Sequence, residues 1–491
     1  MALSMDYTRL FCPRGLAVVG ASAAGRIKFG TLFTKANLDC GFEGAIYPVH
    51  PAGGELFGLK IYRSMSEIPG PVDLACIAVP AAHVHTALED CLKKKVPWAQ
   101  ILSAGFAESD EDGKRLENEL GYFPQNGLRL IGPNCFGVHC PECGLTILPG
   151  SGFSRRPGPV AFIGQSGGLA VDLGYSSPGL GFGWRRMVSF GNACDVNAAE
   201  LIAHFGSDPG TKVIAAYIEG VKDGRAFFDA VKKASCVKPV IIWKGGLTES
   251  GARAVMSHTG SLGGQSAIWD AAFRQANAAP VSGQEEMLDT IVAFLTIGEF
   301  TGRGVCVAGG GGALGVAASD SAEKMGMYLP RFSNETRAAM QALLPPPGNS
   351  FNNPADVGNP MIAAPMLEQI MDIAVRDRAI DIIMVIQILH HMTCVTKQEM
   401  DLPKDTSLKS IAQHKAMAEV CARVQKLRGK PVLQILPPIA GEEEEIEVEA
   451  LLREARRVSH EAGVATYPTL DRALAAVSRV SFYYRRRAVL G

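Results

Sequence analysis

His258 stands in the run Ser257-His258-Thr259-Gly260-Ser261-Leu262-Gly263-Gly264. Of ten histidines it is the one embedded in serine, threonine and glycine. An imidazole attacks phosphorus well when a carboxylate holds one of its nitrogens as N–H. The small neighbours leave space, and the hydroxyls can meet phosphate oxygens. Glu219, placed by the sequence at the end of a strand over 213–218, is the natural carboxylate partner. On spacing alone, a solvated histidine in a glycine-rich surface loop accounts for the run equally well.

Two further runs suit anions. Gly164-Gln165-Ser166-Gly167-Gly168 follows an apolar run and opens a helical pattern, so Gln165, Ser166, Gly167 and Gly168 offer backbone N–H groups and a hydroxyl at a positive helix end. Asn192, Ser257 and Gly260 are grouped with them as phosphate-binding candidates. Near the start of the chain, Gly20-Ala21-Ser22-Ala23-Ala24-Gly25 leaves the β-branched run 16–19. Such small residues let N–H groups approach a phosphate. The spacing is not G-x-G-x-x-G, and the next strand ends in Val49-His50-Pro51 without the acid that would hold a ribose diol. His50 and Pro51 therefore favour a phosphate-bearing ligand over a dinucleotide. Val79-Pro80, Ser103-Ala104-Gly105 and Pro133-Asn134-Cys135 are strand ends expected to line the same crevice. The run from Cys135 through His139 and Cys140 to Cys143 is the most metal-like segment, with one C-x-x-C. No second C-x-x-C accompanies it, so it reads as a thiol cluster beside the crevice and no metal is expected.

These residues need a scaffold of strand ends. Short β-branched runs alternate with amphipathic helices, a rhythm that predicts parallel sheets covered on both faces. Strands are expected at 16–19, 45–49, 74–79, 100–102 and 128–131. A second block has them at 160–163, 187–190, 213–218 and 239–243, and a third at 304–308, 380–388 and 432–436. Val84, Ala87, Leu88, Cys91 and Leu92 follow helical spacing. Residues 155–159 read as a linker, 345–360 as a loop and 442–445 as an acidic helix start. The chain has 491 residues, 47% apolar and 20% charged, with net charge −1. That is ample for about three domains, and no basic face for nucleic acid announces itself. Twelve cysteines without framework spacing read as reduced thiols of a cytoplasmic protein. No apolar run is long enough for a membrane span, and the first residues carry no signal-like stretch.

Five motifs, GPNC at 132–135, GQSGG at 164–168, GNACDVN at 191–197, YIEG at 217–220 and SHTGSLGG at 257–264, come in an order that resembles the α subunit of succinyl-CoA synthetase. They resemble the ADP-forming acetyl-CoA synthetases more closely, since those carry a third block. The resemblance implies an α/β chain of three doubly wound domains. These are a Rossmann-like CoA-binding domain over 6–150 and two flavodoxin-like domains over 157–300 and 302–487. It implies that His258 is phosphorylated, that Glu219 orients it, and that the helix start at 165–168 stabilises the phosphohistidine. Coenzyme A is then expected at the 20–25 loop, the 103–105 turn and Pro133-Asn134.

The implied activity interconverts acyl-CoA, ADP and phosphate with a carboxylic acid, CoA and ATP. One departure matters. No ATP-grasp region is recognisable, and Gly309–Gly312 is not a Walker loop because no G-K-[ST] follows. ADP/ATP and Mg2+ are therefore expected on an ATP-grasp β subunit, in a hetero-oligomer such as α2β2, with no nucleic-acid or membrane partner. The rival readings are a non-catalytic CoA-binding regulatory protein and an NAD-dependent oxidoreductase.

Overall fold

The computed structural model describes residues 6–22, 28–147, 153–259, 265–309, 311–344, 350–356, 363–388, 406–438 and 446–490. The side chains of 256–259, 406–412, 446–448 and 490 are outside that description, as are Gly25, Gly260 and the acidic run 442–445. The chain falls into two compact units, Met1–Pro178 with Phe182–Met287, and Gly179–Gly181 with Leu288–Gly491.

The first unit holds two sheets. In one, β1 (Gly15–Val19), β2 (Ala45–Val49), β5 (Leu74–Ile77), β6 (Trp98–Ile101) and β7 (Arg129–Ile131) run parallel in the order β2-β1-β5-β6-β7. The small hairpin β3 (Gly54–Leu56) and β4 (Leu59–Ile61) lies outside this ladder. The expected helix forms at Val84–Lys93 and buries Val84, Leu88 and Cys91. Counting parallel strands only, the winding is 2-1-3-4-5, so strand order reverses at β1.

The other sheet repeats that winding. Its parallel strands are β9 (Pro157–Gly164), β10 (Trp184–Ser189), β11 (Val213–Ile218), β12 (Val240–Lys244) and β13 (Ala279–Val281), in the order β13-β12-β11-β9-β10. The run 155–159, expected as a linker, instead supplies the start of β9. Its two prolines precede Val160, where pairing to both neighbours begins, so they cost the ladder no donor. A sixth strand, β8 (Gly137–His139), adds antiparallel to β10, pairing Val138 with Val188. It comes from the run that was expected to sit beside the first crevice.

In the second unit, β14 (Val305–Gly309), β15 (Ile382–Ile386), β16 (Val432–Ile435) and β17 (Ala465–Tyr467) pair in sequential order, all parallel. Isolated parallel bridges at Tyr328 and Ala355 lie against β14, in the position a second strand takes in the same winding. The chain is thus α/β throughout, with parallel strands and covering helices. Continuous apolar strands such as Ile382–Ile386, fully buried, are what two covered faces require.

Candidate functional site

The first crevice opens where winding reverses. Val19 and Gly20 after β1, Val49-His50-Pro51 after β2 and Ala78-Val79-Pro80 after β5 line a cleft of about 510 Å3. Ligand clefts of open α/β sheets lie at such switch points, and this volume suits a nucleotide-sized group. Gly20 has φ +99°, and a Cβ there would stand 2.4 Å from the Ala78 carbonyl oxygen. Only glycine lets the chain turn this close to β5. Gly20, His50, Pro51, Val79 and Pro80, all expected from sequence, are thus brought together. Lys28 and Arg63 also line the cleft, two exposed cations that the sequence reading missed. Neither sits in a recognisable motif, and Arg63 arrives through the β3–β4 hairpin.

Of the remaining expected CoA residues, the described ones do not line that cleft, and Gly25 lies outside the described residues. Ser22 exchanges hydrogen bonds with Thr31, Ser22 N–H to Oγ1 at 3.3 Å and Oγ1–H to the Ser22 carbonyl at 2.9 Å. The Ser103 hydroxyl donates to the Val79 carbonyl, and Asn134 N–H donates to the Ser103 carbonyl at 3.0 Å. These bonds fix the 103–105 turn and Pro133-Asn134 relative to β5. Ala21 is buried beneath the turn after β1. The Cys135 thiol is buried and donates to the Ile101 carbonyl at 3.3 Å; burial pushes it up to about 12. It packs as a core residue.

The second sheet gathers a polar group at its own strand ends. Tyr217 pairs with Gly164 and Ile218 with Lys244, so the ends of β9, β11 and β12 are neighbours. Gln165 Oε1 accepts from the N–H groups of Glu219 at 2.6 Å and Gly220 at 3.0 Å. Ser166 caps the helix Gly167–Ser176, its Oγ accepting from Leu169 N–H at 3.3 Å. Gly167 is held against the Phe136 ring, where a Cβ would come within 2.8 Å, and Gly168 faces open space. Glu219 is 4% exposed, and its carboxylate accepts from the Tyr217 hydroxyl at 3.1 Å. Burial and that carboxylate raise the Tyr217 phenol above its ordinary range. Lys244, at the end of β12, donates to the Glu219 carbonyl at 2.8 Å, and burial pushes its ammonium down to about 8.

From Lys244 the chain turns into the helix Glu249–Thr259, whose last turn carries Ser257 and His258. Those residues close a helix rather than occupying a loop. Thr248 Oγ1 accepts from Gly251 N–H at 3.1 Å, an N-cap arrangement, and the alanines that follow favour continuation. The side chains of Ser257 and His258 lie outside the described residues.

Asn192 has other partners. Its Nδ2 donates to Glu108 at 2.5 Å and to Glu117 at 2.8 Å. Asp195 of the same motif accepts from Arg129 Nε at 2.7 Å and from Leu130 N–H at 2.8 Å. Asn197 caps the helix Ala198–Ser207. The motif at 191–197 thus clamps the first sheet to the second.

Residues 157–294 match the succinyl-CoA ligase like flavodoxin domain family, and residues 14–141 match the CoA binding domain family. The α subunit of an ADP-forming acetate–CoA ligase of Pyrococcus furiosus is 39% identical over 358 residues, 72% of this chain and 77% of that one. This chain belongs to the family of ADP-forming acetate–CoA ligase α subunits. A longer ADP-forming acetate–CoA ligase of Methanocaldococcus jannaschii is 36% identical, and the match covers 70% of this chain but 48% of that one. Among solved structures, an acetyl-coenzyme A synthetase of Candidatus Korarchaeum cryptofilum, in complex with phosphate and ADP, superposes with a TM-score of 0.80. It is 31% identical, and the match covers 98% of each chain. Membership as an α subunit implies a partner subunit. Among the described residues no helix is long and apolar enough to cross a membrane.

Proposed function

We propose that this ligase subunit, with an ATP-grasp β subunit, interconverts acyl-CoA, ADP and phosphate with a carboxylic acid, CoA and ATP. Phosphate oxygen attacks the thioester carbonyl carbon, the C–S bond breaks, and CoA leaves as the thiolate and takes a proton. The acyl phosphate then loses its phosphoryl group to a ring nitrogen of His258, releasing the carboxylate. The phosphohistidine passes its phosphoryl group to the terminal oxygen of ADP on the partner, where Mg2+ neutralises the phosphates. Glu219 stabilises the imidazolium, and Gln165–Gly168 meet the phosphoryl oxygens at a helix start. CoA occupies the cleft after β1, with Lys28 and Arg63 toward its phosphates. Blocks 6–150, 157–300 and 302–487 serve as separate domains of a cytoplasmic hetero-oligomer such as α2β2.

The observation that carries this reading is the junction of three strand ends in the second sheet. It places buried Glu219 beside the Ser166-capped helix and leads into the helix bearing His258. The P. furiosus relative, itself an α subunit of an ADP-forming acetate–CoA ligase, supports a partner subunit. The test is acid-labile, base-stable label on this chain after incubation with the β subunit and labelled ATP. His258→Asn should abolish labelling and turnover. Glu219→Gln should slow labelling by roughly 10²–10⁴, the size of a general-base effect. Near-normal turnover of His258→Asn would remove His258 from the reaction.

A further inference from the structure

The run Cys140-Pro141-Glu142-Cys143-Gly144 folds as a tight knuckle. Pro141–Cys143 is a single 3-10 turn, Gly144 takes φ +73°, and Cys140 and Leu145 bridge antiparallel across it. A turn of this kind points both thiols to one side. Cys12, 128 residues earlier and ending the helix Thr8–Phe11, completes a group of three. Its sulfur lies 3.6 Å from that of Cys140, Cys140 lies 3.5 Å from Cys143, and all three fall within 4.8 Å of one another. Cys135 and His139 of the same run point elsewhere: Cys135 donates to the Ile101 carbonyl, and His139 Nε2 pairs with the Ser154 carbonyl at 3.0 Å.

The geometry points to a thiolate site for a zinc-type divalent cation, with Cys12, Cys140 and Cys143 as ligands and a water in the fourth position. A tetrahedral zinc with sulfur at about 2.3 Å holds its sulfurs about 3.8 Å apart, so the observed spacing needs only small adjustments. A disulfide needs sulfurs about 2.05 Å apart and uses only two of them. Cys140 and Cys143 are buried, while Cys12 is only partly buried and gives the ion an entry path and a place for water. Arg186 stands over the Phe11 ring, 5.4 Å away, and pairs with Glu142 at 2.8 Å. Its positive charge offsets part of the net −1 of three thiolates and one dication. Loading releases the thiol protons, including the one Cys143 shares with the Phe11 carbonyl at 3.0 Å. The bound ion would tie the chain's first helix to the connection between β8 and β9.

The test uses the full chain, reduced and stripped of metal, with Co2+ as the optical probe and Zn2+ as competitor. One cobalt per chain should bind, with thiolate-to-cobalt charge transfer and the visible bands of tetrahedral cobalt, and Zn2+ should bleach them. Cys12→Ser and Cys143→Ser should each weaken Zn2+ binding at least ~10-fold, the lower bound for disturbing even an outer-shell group. Cys236→Ser, at an exposed thiol far along the chain, should leave it unchanged. Zn2+ should also protect Cys12 from alkylation while Cys236 stays reactive. The cobalt spectrum of the wild-type chain needs no variant to fold. An octahedral, oxygen-ligated spectrum there, or full affinity in a folded Cys12→Ser/Cys143→Ser double variant, would overturn the assignment.

Discussion

Asn192→Asp changes one NH2 for one oxygen, with no change of volume, at a side chain 7% exposed. The native amide donates to two carboxylates, Glu108 at 2.5 Å and Glu117 at 2.8 Å. Each is a hydrogen bond to a charged group, worth about 1.5–3 kcal/mol, so the substitution removes about 3–6 kcal/mol before any repulsion is counted. Three carboxylates would then crowd one site, so the loss should exceed that of Asn192→Ala. Against a total stability of about 5–15 kcal/mol, this is a large fraction. The assay is urea unfolding followed by tryptophan fluorescence, read as a midpoint because a chain of several domains does not unfold as two states. The midpoint should fall strongly for Asp and less for Ala. If Asn192→Asp unfolds like the wild type yet loses phosphohistidine labelling, the amide serves phosphate and the clamp is a misreading.

Gly20→Ala sets a Cβ 2.4 Å from the Ala78 oxygen at φ +99°, so stability should drop by about 1–3 kcal/mol and CoA titration should weaken. Gly224→Ala, which meets nothing within 4 Å, should do neither, and equal effects in the two would refute the steric argument. Lys244 has a folded-state value of about 8 against an ordinary 10.5. Between those limits the unfolded chain binds the proton that the folded chain refuses, so this residue's contribution to stability rises with pH across that window. Thermal melts of wild type minus Lys244→Met should show that rise, and a flat difference would mean the ammonium stays charged. Arg63→Ala should weaken CoA binding more than it weakens binding of dephosphorylated pantetheine, measured by calorimetry; equal losses would take Arg63 off the phosphates.

The strands with continuous apolar runs were legible because their residues carry the signal locally. Leu74–Ile77 and Val213–Ile218 are buried runs that hardly need context. β8, β13 and β17 were not, each having three residues of which at most one is Val, Ile or Leu, whereas the equally short β7 carries Leu130 and Ile131. The candidate site was legible where glycine and hydroxyl residues mark a strand end, as at Gly20 and Gln165–Gly168. Partners distant in sequence left no local signal. Asn192 reads as a phosphate ligand from its motif, and the structure adds Glu108 and Glu117 as its partners. Cys140 and Cys143 look incomplete until Cys12 arrives from the chain's beginning. Lys28 and Arg63 carried no local mark at all.

β8 has a bearing on how the chain is made. β10 borders the second sheet on the side away from β9, and its outer backbone groups would form an open edge, a template for pairing with another molecule. The strand that covers it lies upstream, so it has left the ribosome before β10 exists. As synthesis proceeds, each newly emerged β10 meets its own cover rather than a neighbouring nascent chain. β8 is only three residues long and pairs antiparallel, so it leaves a short, reversed margin as the new border. Placing residues 137–139 downstream of β10 would reverse that timing while leaving the β8–β10 ladder available. The cost would appear as aggregation during expression, not as a weaker native state.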